Sequence, residues 1–410
     1  MEHPIPFGIA RAGATLLSVR AYNQRILLLN LLRHQPVSRI RLARLCGLST
    51  TAVTNMVAGL LARGVVREAG TDLVAARPGA GRPPQALQLV PDSRLVLGIH
   101  IGVRRARLAL CDVNAQPLAG CEAPLVAHES AGQSLARIAA AASGLIEQEG
   151  QAGIGGRLLG VGVGASGLTD VETGINVFAP NLGWRNVALR DILREQLRLP
   201  VTVDNNVRCM ALAESLYGAG RNVRSLAYVY GRMAVGAGLV VDGELYRGAG
   251  FGAGEIGHWT MVPRGGKRCR CGNHGCLETL ISEPVLVERA RQIDPYVVEQ
   301  SEQPLQAVLA AARRGHAGLR AMLAEQAFYL GIALANLVNV VNPHLILLGG
   351  LLYEAFDLLQ RDVETAMRRH AFGGLGAKVT LLPATFGEQA GEIGAAALAL
   401  DHFFFRQPAV

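Results

Sequence analysis

Apolar positions at helical spacing open the readable part of the chain. Asn23 to Arg33 is an apolar helix that ends near Pro36, and Ser38 caps a second helix running through Cys46. Gly47-Leu48 makes a tight turn, and Ser49 caps a third helix to about Arg63, with Val53, Val57, Leu60 and Leu61 on its inward face. Helix, glycine turn, helix is the arrangement whose second member enters a DNA major groove with its N-terminal residues. Those residues are Ser49, Thr50, Thr51, Thr54 and Asn55, small polar groups able to reach base edges or phosphates. The plainer alternative is that the threonines cap the helix and face water. Arg39, Arg41 and Arg44 on the second helix are candidate phosphate contacts. Val65–Glu68 and Gln85–Leu89 read as two strands of a wing, and residues 76–84 between them, ARPGAGRPP, offer Arg82 to a minor groove. Residues 1–20 carry little pattern and read as a loose arm.

After a linker at Val90 to Asp92 the texture becomes strands separated by glycine turns. Leu95–Ile101, Arg105–Asp112, Ala119–Val126 and Leu158–Gly164 are predicted strands, with a helix over Gly132–Gln148. Leu239–Asp242 before Gly243 reads as a hairpin. Helices follow from Glu283, from about Pro304 and over Leu319–Val341, then strands at Leu345–Leu348 and Lys378–Pro383 and a last helix at Gly391–Phe404. This alternation predicts an α/β chain of two or three domains, which 410 residues allow.

Charge changes the picture of the first quarter only. Residues 1–94 hold 12 Arg and 4 Asp+Glu, while the remaining 28 basic and 28 acidic residues cancel, so the whole excess of +8 points that part to a polyanion. The most apolar stretch, Ile332 to Leu352, is broken by Asn336, Asn339, Asn342 and Pro343, which argues against a membrane span. No basic region followed by an apolar run marks a signal peptide, and Cys46, Cys111, Cys121 and Cys209 read as core residues of a reducing compartment. The expectation is a cytoplasmic protein.

The densest chemistry lies between Glu255 and Glu278, EIGHWTMVPRGGKRCRCGNHGCLE. Cys269, Cys271 and Cys276 in the pattern C-x-C-x4-C, with His258, form the closed Cys3His set of a structural Zn2+ site. Three buried or disulfide-bonded cysteines are the alternative, and His274 is a second candidate for the imidazole. Glu255 and Glu278 bracket the cluster, and a fixed loop would hold two carboxylates and an imidazole as rigid acceptors for several hydroxyls.

A-G-E-I-G-H at Ala253–His258 followed by C-x-C-G-x2-G-C-x-E at Cys269–Glu278 resembles the signature of the ROK family of repressors, open reading frames and sugar kinases. The resemblance implies an actin-like ATPase fold of two α/β lobes, zinc on the histidine and three cysteines, and a sugar on the two glutamates and the histidine. Asn181-Leu-Gly-Trp184 is similar to the family's N-L-G-W, whose asparagine lies at the sugar, and Gly81-Arg-Pro-Pro84 before a strand is similar to the winged-helix end of its repressors.

Three departures separate the chain from the kinases of that family. His100, Ile101, Gly102, Val103 and Arg104 stand where the kinases carry D-x-G-G-T for the ATP phosphates. Arg232, Met233 and Ala234 replace the G-T-G of their second phosphate loop, although Asn342-Pro343 to Gly349-Gly350 keeps a further family-like turn. In Asp204-Asn-Asn-Val-Arg208, aligned with E-N-D-A-N, Asn206 occupies the place of the aspartate base, and a carboxamide has no basic lone pair at neutral pH.

The sequence therefore predicts a regulator without kinase activity. Residues 1–90 form the winged helix-turn-helix. Residues 95–205, completed by 384–410, form one lobe, and residues 206–383 form the other with the zinc loop 255–278. The expected partners are a double-stranded DNA operator, a sugar effector and further copies of the chain in a dimer or tetramer, with no membrane. Asn181, Asn205, Asn206, Glu255, His258 and Glu278 are the expected sugar contacts. The competing expectation is an ATP-dependent sugar kinase with an appended DNA-binding domain.

Overall fold

The computed structural model describes residues 16–72, 84–126, 129–150 and 156–407. Two compact units divide the chain: residues 1–164, 188–203 and 395–410 make one, and residues 165–187 and 204–394 the other.

The first unit opens with helix α1, Leu16–His34, so residues 16–20 are helical rather than a loose arm. Leu27, Leu28 and Leu31 are fully buried along it. Helix α2, Arg39–Cys46, follows the short strand β1, Val37–Ser38, and starts where Ser38 Oγ accepts from the Arg41 amide at 3.4 Å. It ends at Gly47, whose φ of 65° suits glycine and whose amide reaches back to the helix carbonyls. Helix α3, Thr50–Ala62, begins on Ser49, whose Oγ accepts from the Ala52 amide at 3.2 Å. The axes of α2 and α3 differ by 115°, within the range of a helix-turn-helix. Val53, Val57 and Leu60 of α3 are buried with Leu42 of α2. Strands β2 (Val66–Thr71) and β3 (Gln85–Leu89) pair antiparallel and join β1 in a sheet of order β1-β3-β2. Arg82 and the segment around it lie outside the described residues.

The main sheet of this unit contains β4 (Leu95–Ile101), β5 (Arg105–Cys111), β6 (Pro117–Pro124), β7 (Leu158–Ala165) and β11 (Val201–Asn205) in the order β11-β7-β4-β5-β6. Helices α4 (Ala131–Gly150) and α5 (Leu189–Leu197) belong to it, and Leu135, Ile138 and Leu193 are buried. The last helix, α14 (Ala390–Ala399), continues as a π-helical turn over Leu400–Phe405. A Cβ on Gly162 of β7 would sit 2.0 Å from the Ala395 carbonyl oxygen, so glycine is what lets this helix lie against the sheet. Asp401, nearly buried, pairs with Arg25 of α1 at 3.2 Å and with Arg406 at 2.7 Å, which ties the first helix to the chain's end.

In the second unit a small sheet of order β10-β9-β8 comprises β8 (Leu168–Asp170), β9 (Ile175–Ala179) and β10 (Trp184–Val187). The larger sheet has the order β14-β13-β12-β15-β16, with β12 (Leu226–Gly231), β13 (Val235–Val241), β14 (Glu244–Tyr246), β15 (Leu345–Gly350) and β16 (Thr380–Pro383). Asp242 and Gly243 both have positive φ, 51° and 81°, in the two-residue turn that sets the β13–β14 hairpin. Helix α6, Asn206–Leu216, lies so close to β13 that a Cβ on Gly238 would stand 2.6 Å from Val207 O and from Ala211 Cβ. Gly238 is thus a strand residue under a helix and not part of a loop.

The helices α7 (Glu278–Ile281), α8 (Glu283–Ile293), α9 (Pro295–Glu299), α10 (Pro304–Arg313), α11 (Ala317–Val341), α12 (Leu351–Glu354) and α13 (Phe356–His370) complete the unit. Leu330, Leu334 and Val338 of α11 and Val363 and Met367 of α13 share one buried core. Helix α11 is long and apolar enough by composition to cross a membrane, but 61% of its apolar window is buried inside the protein.

Candidate metal centre and ligand site

All the side chains that the sequence singles out for metal and sugar belong to the second unit. The loop after β14 returns through tight turns. A Cβ on Gly275 would lie 1.9 Å from the Val262 carbonyl oxygen, and Gly272 has a φ of 101°. The Cys269 amide donates to Asn273 O at 2.7 Å, and bridges join Thr260 to Cys276 and Arg268 to His274. This folding gathers His258, Cys269, Cys271 and Cys276, whose ligand atoms all lie within 4.8 Å of one another. His274 is exposed and outside the group.

Cys271 Sγ and Cys276 Sγ are 3.8 Å apart, and His258 Nδ1 is 3.7 Å from Cys269 Sγ. A tetrahedral ion with sulfur at about 2.3 Å would hold its sulfurs roughly 3.8 Å apart. Burial pushes the Cys276 thiol up to about 12, and hydrogen bonding with Cys271 and Cys269 adds to the rise. Three thiolates can share this volume only around a cation. The donor set therefore fits a metal ion.

His258 presents its other nitrogen, Nε2, 4.0 Å from Glu255 Oε2. Glu255 follows Gly254, where a Cβ would overlap the Ala237 carbonyl oxygen at 1.9 Å, so the chain reaches the carboxylate through a contact only glycine permits. Solvent reaches 44% of the Glu255 side chain, yet surrounding protein pushes its carboxyl above the usual carboxylate range, against the pull of His258 and Arg208. Glu278 begins α7 and is nearly buried, with Oε2 accepting from the Val235 amide at 3.1 Å. Two carboxylates with different partners thus flank the imidazole.

Asn205 and Asn206 stand at the N-terminus of α6. Asn205 Oδ1 caps the helix, accepting from the amides of Val207 at 2.9 Å and Arg208 at 3.2 Å, while Nδ2 donates to Gly167 O at 2.9 Å. Both acceptor lone pairs are in use, which leaves one N–H for anything else. Asn206, also nearly buried, reaches Ser166 Oγ at 3.5 Å through Nδ2. Asn181 lies in the turn after β9, and its side-chain oxygen accepts from Arg270 of the metal loop.

One constellation here escaped the sequence reading. Asp204, fully buried, binds Arg208 Nε at 2.6 Å and Arg247 Nε at 2.8 Å. The available signal was an acid and a base four residues apart inside an apolar segment, where charges occur paired.

Two of the segments aligned with phosphate loops carry a buried or an ion-paired side chain. His100, in the first unit, is buried, which pulls its pKa to about 3, with Arg107 acting in the same direction, so the imidazole is neutral. Arg232, in the turn between β12 and β13, pairs with Glu283 at 3.2 Å and with Glu354. A Cβ on Gly349 would meet the Tyr228 hydroxyl at 2.1 Å, and one on Gly350 would meet Gly231 O at 2.4 Å, so this Gly-Gly is required by packing.

On the helix-turn-helix, Arg44, Ser49, Thr50, Thr51, Thr54 and Asn55 are exposed. Ser49 caps α3 and the Thr54 hydroxyl donates to Thr50 O at 2.8 Å, so these two hydroxyls already have local partners. Arg39 pairs with Glu68 at 3.2 Å and Arg41 with Asp72 at 3.8 Å, which joins α2 to β2 and the residue after it.

Comparison with known proteins agrees with this geometry. A family profile described as "ROK family" matches residues 96–402. The chain is 28% identical over 387 residues to the xylose repressor of Bacillus subtilis, covering 94% of this chain and 96% of that protein. It is 36% identical over 249 residues to a glucokinase of Halalkalibacterium halodurans, covering 58% of this chain and 74% of that one. A crystal structure described as a ROK family transcriptional regulator, homologue of the Escherichia coli Mlc protein, superposes with a TM-score of 0.80 at 26% identity, over 96% of this chain and 98% of that one.

Proposed function

The chain belongs to the ROK family, and from that premise we propose that it is a sugar-responsive, DNA-binding repressor of carbohydrate uptake or catabolism genes without kinase activity. The observation that carries the reading is a division within one chain. The acceptors expected at a sugar, Glu255, His258 and Glu278, stand together on a metal-fixed loop, whereas Asn206 stands at the position of the base. A site that keeps recognition and lacks the base binds without turning over. Similarity to a repressor extends over 94% of the chain, including the helix-turn-helix, and supports the DNA-binding output.

The metal is Zn2+, held by His258, Cys269, Cys271 and Cys276, because a closed set of three thiolates and one imidazole suits that ion. It leaves no position for water, so its work is to hold the loop. His258 serves twice, with Nδ1 toward the metal and Nε2 toward the ligand side. Glu255 and Glu278 accept from sugar hydroxyls, Asn181 and Asn206 donate or accept, and Asn205 gives its remaining N–H while holding the end of α6.

Residues 1–90 act as the DNA-binding domain. The two lobes of the sensor, expected from the sequence at 95–205 with 384–410 and at 206–383, are taken with 165–187, 204–205 and 384–394 on the side of 206–383, as the compact units divide. Arg39, Arg41, Arg44 and Arg82 contact phosphates or the minor groove, and Ser49, Thr50, Thr51, Thr54 and Asn55 present α3 to the major groove. The protein works in the cytoplasm as a homo-oligomer, so that two α3 helices read two half-sites. A sugar bound more tightly by one arrangement of the lobes shifts the protein toward it, and DNA affinity changes by the same coupling factor.

Similarity to a glucokinase favours the second reading, an ATP-dependent sugar kinase with a DNA-binding domain. The amide at Asn206 and the Arg232 pairs with Glu283 and Glu354 weigh against it. Titration calorimetry with xylose, glucose and N-acetylglucosamine, followed by incubation of any binder with ATP and magnesium, separates the two. The regulator reading expects binding without sugar phosphate; sugar phosphate formed by the wild-type protein establishes the kinase.

A further inference from the structure

The buried charges around Asp204 have no part in the function proposed above. Each carboxylate oxygen of Asp204 takes one guanidinium Nε, from Arg208 at 2.6 Å and from Arg247 at 2.8 Å, and Oδ1 also accepts from the Asn205 amide at 2.7 Å. The Arg208 side chain is 1% exposed, and its remaining bonds go to backbone oxygens, Phe251 O from Nη1 and Thr169 O from Nη2 at 3.3 Å. A guanidinium offers its donors in one rigid plane. This single residue therefore ties together the end of β11, strand β8 and the segment that leads to Glu255.

Arg247 fixes the same segment at its start, where its carbonyl accepts from the Ala253 amide at 3.1 Å. Between them Phe251 has a φ of 55°, a conformation that a bulky residue keeps only when its surroundings hold it, and Arg208 bonds its carbonyl. Stability alone accounts poorly for this arrangement, because apolar residues of similar volume in place of a buried charge group are often neutral or stabilising. In the resembling kinase pattern E-N-D-A-N the position of Arg208 is asparagine, and a single short amide cannot span Asp204, Thr169 and Phe251 together.

We propose that Arg208, supported by Asp204 and Arg247, is the positioning residue that sets Glu255 against the N-terminus of α6 and so decides which sugar hydroxyls the site accepts. The proposal rests on the sugar-sensor reading. Glu278 provides an internal control, since its carboxylate is held by the Val235 amide and not by this network.

The test uses the full-length protein, with xylose, glucose and N-acetylglucosamine as probes and metal content measured alongside. Arg208→Gln should weaken the sugar that binds by roughly tenfold, the scale of one lost charge-assisted contact. Combined with Glu255→Gln, the two losses should overlap; combined with Glu278→Gln, they should multiply. Arg208→Lys should recover part of the loss. Losses that multiply with both glutamates, or metal lost from Arg208→Gln, mean general disruption and overturn the proposal. Hydrogen exchange tests the positioning without any sugar. In Arg208→Gln the amides of residues 251–255 should exchange roughly tenfold faster while the Cys269 amide stays protected; unchanged exchange at 251–255 overturns the proposal. If none of the three sugars binds the wild-type protein, the sensor reading falls, and the exchange result still decides the role of Arg208.

Discussion

Two glycine-bearing segments of the second unit have had opposite fates. The turn from Gly231 to Ala234 is closed: Arg232 lies across it, paired with Glu283 and Glu354, and the Glu283 amide donates to Arg232 O at 2.8 Å. The loop from Glu255 to Glu278 is tied by backbone hydrogen bonds from Cys269 to Asn273 and from Gly275 to Lys267, yet its carboxylate at Glu255 faces solvent over 44% of its side chain and Nε2 of His258 stands beside it. In the first segment the chain's own charges pair with one another across the turn. In the second, four side chains able to hold a metal ion gather within 4.8 Å of one another, and His258 and Glu255 stay partly exposed beside them. On the function proposed above, the contrast separates recognition from chemistry, and the recognition site is the one whose loss should matter.

The largest expected effect comes from removing the metal's support. Cys271→Ala should lose the ion, of which the wild-type protein should hold about one per chain, matching a closed four-ligand site. Binding free energies for such sites are about 10–16 kcal/mol, so sugar binding should fall below detection when the loop is released. Metal analysis paired with calorimetry checks both; full metal content in the variant would count against these ligands.

Glu255→Gln should act next in size. Loss of an acceptor that bonds hydroxyls as a charged group costs about 1.5–3 kcal/mol, which lowers sugar affinity by roughly 10- to 100-fold with metal content unchanged. Affinity equal to wild type would place the sugar elsewhere. The matching change in the closed segment, Arg232→Gly, should leave sugar affinity alone and give no turnover with ATP, because Asn206 still lacks a basic lone pair.

A pH titration sharpens the comparison in the first unit. The folded His100 pKa is pulled from 6.5 to about 3 by burial, with help from Arg107. The unfolded chain therefore takes up a proton between those values that the folded one refuses, so stability is fully present above pH 6.5 and declines as pH falls toward about 3. Denaturant midpoints should show that slope, and His100→Gln should flatten it; equal slopes would contradict the burial of this imidazole.

The smallest effects belong to the DNA-binding surface. Ser49→Ala should cost about 1 kcal/mol as a lost helix cap. Arg39→Ala should change stability by no more than about 1 kcal/mol, since its pair with Glu68 is partly exposed. The same Arg39 variant should lower DNA affinity for all sequences and flatten its salt dependence, whereas Thr51→Ala or Asn55→Ala should change base preference. Binding titrations across salt and duplex sequence tell these apart.

What was readable in the sequence follows the range of the interactions involved. Caps, turns and the metal cluster are local: Ser38, Ser49 and Gly47 sit where their chemistry places them, and His258 with three cysteines closes on one point. Departures from a motif are equally legible, because the residues at Asn206 and Arg232 are read directly off the sequence. Of the Asp204 network only the Asp204–Arg208 pair, four residues apart, was readable; its reach was not, since Arg208 meets Phe251 across 43 residues and Thr169 across 39. Asn205 shows the same limit. Its motif suggests a sugar contact, while most of its hydrogen bonds go to capping α6 and to Gly167. Gly238 lies in strand β13, and only the packing of α6 on it shows why glycine is needed there.

The central claim is that a sugar read by the second unit controls the DNA affinity of the helix-turn-helix. It is tested most directly by selecting duplexes from a random-sequence pool with the full-length protein, with and without xylose, glucose or N-acetylglucosamine. The account predicts an enriched palindrome with half-sites about one or two helical turns apart, whose recovery one of these sugars reduces. Recovery of no enriched sequence, or of a palindrome that none of the three sugars affects, would contradict it.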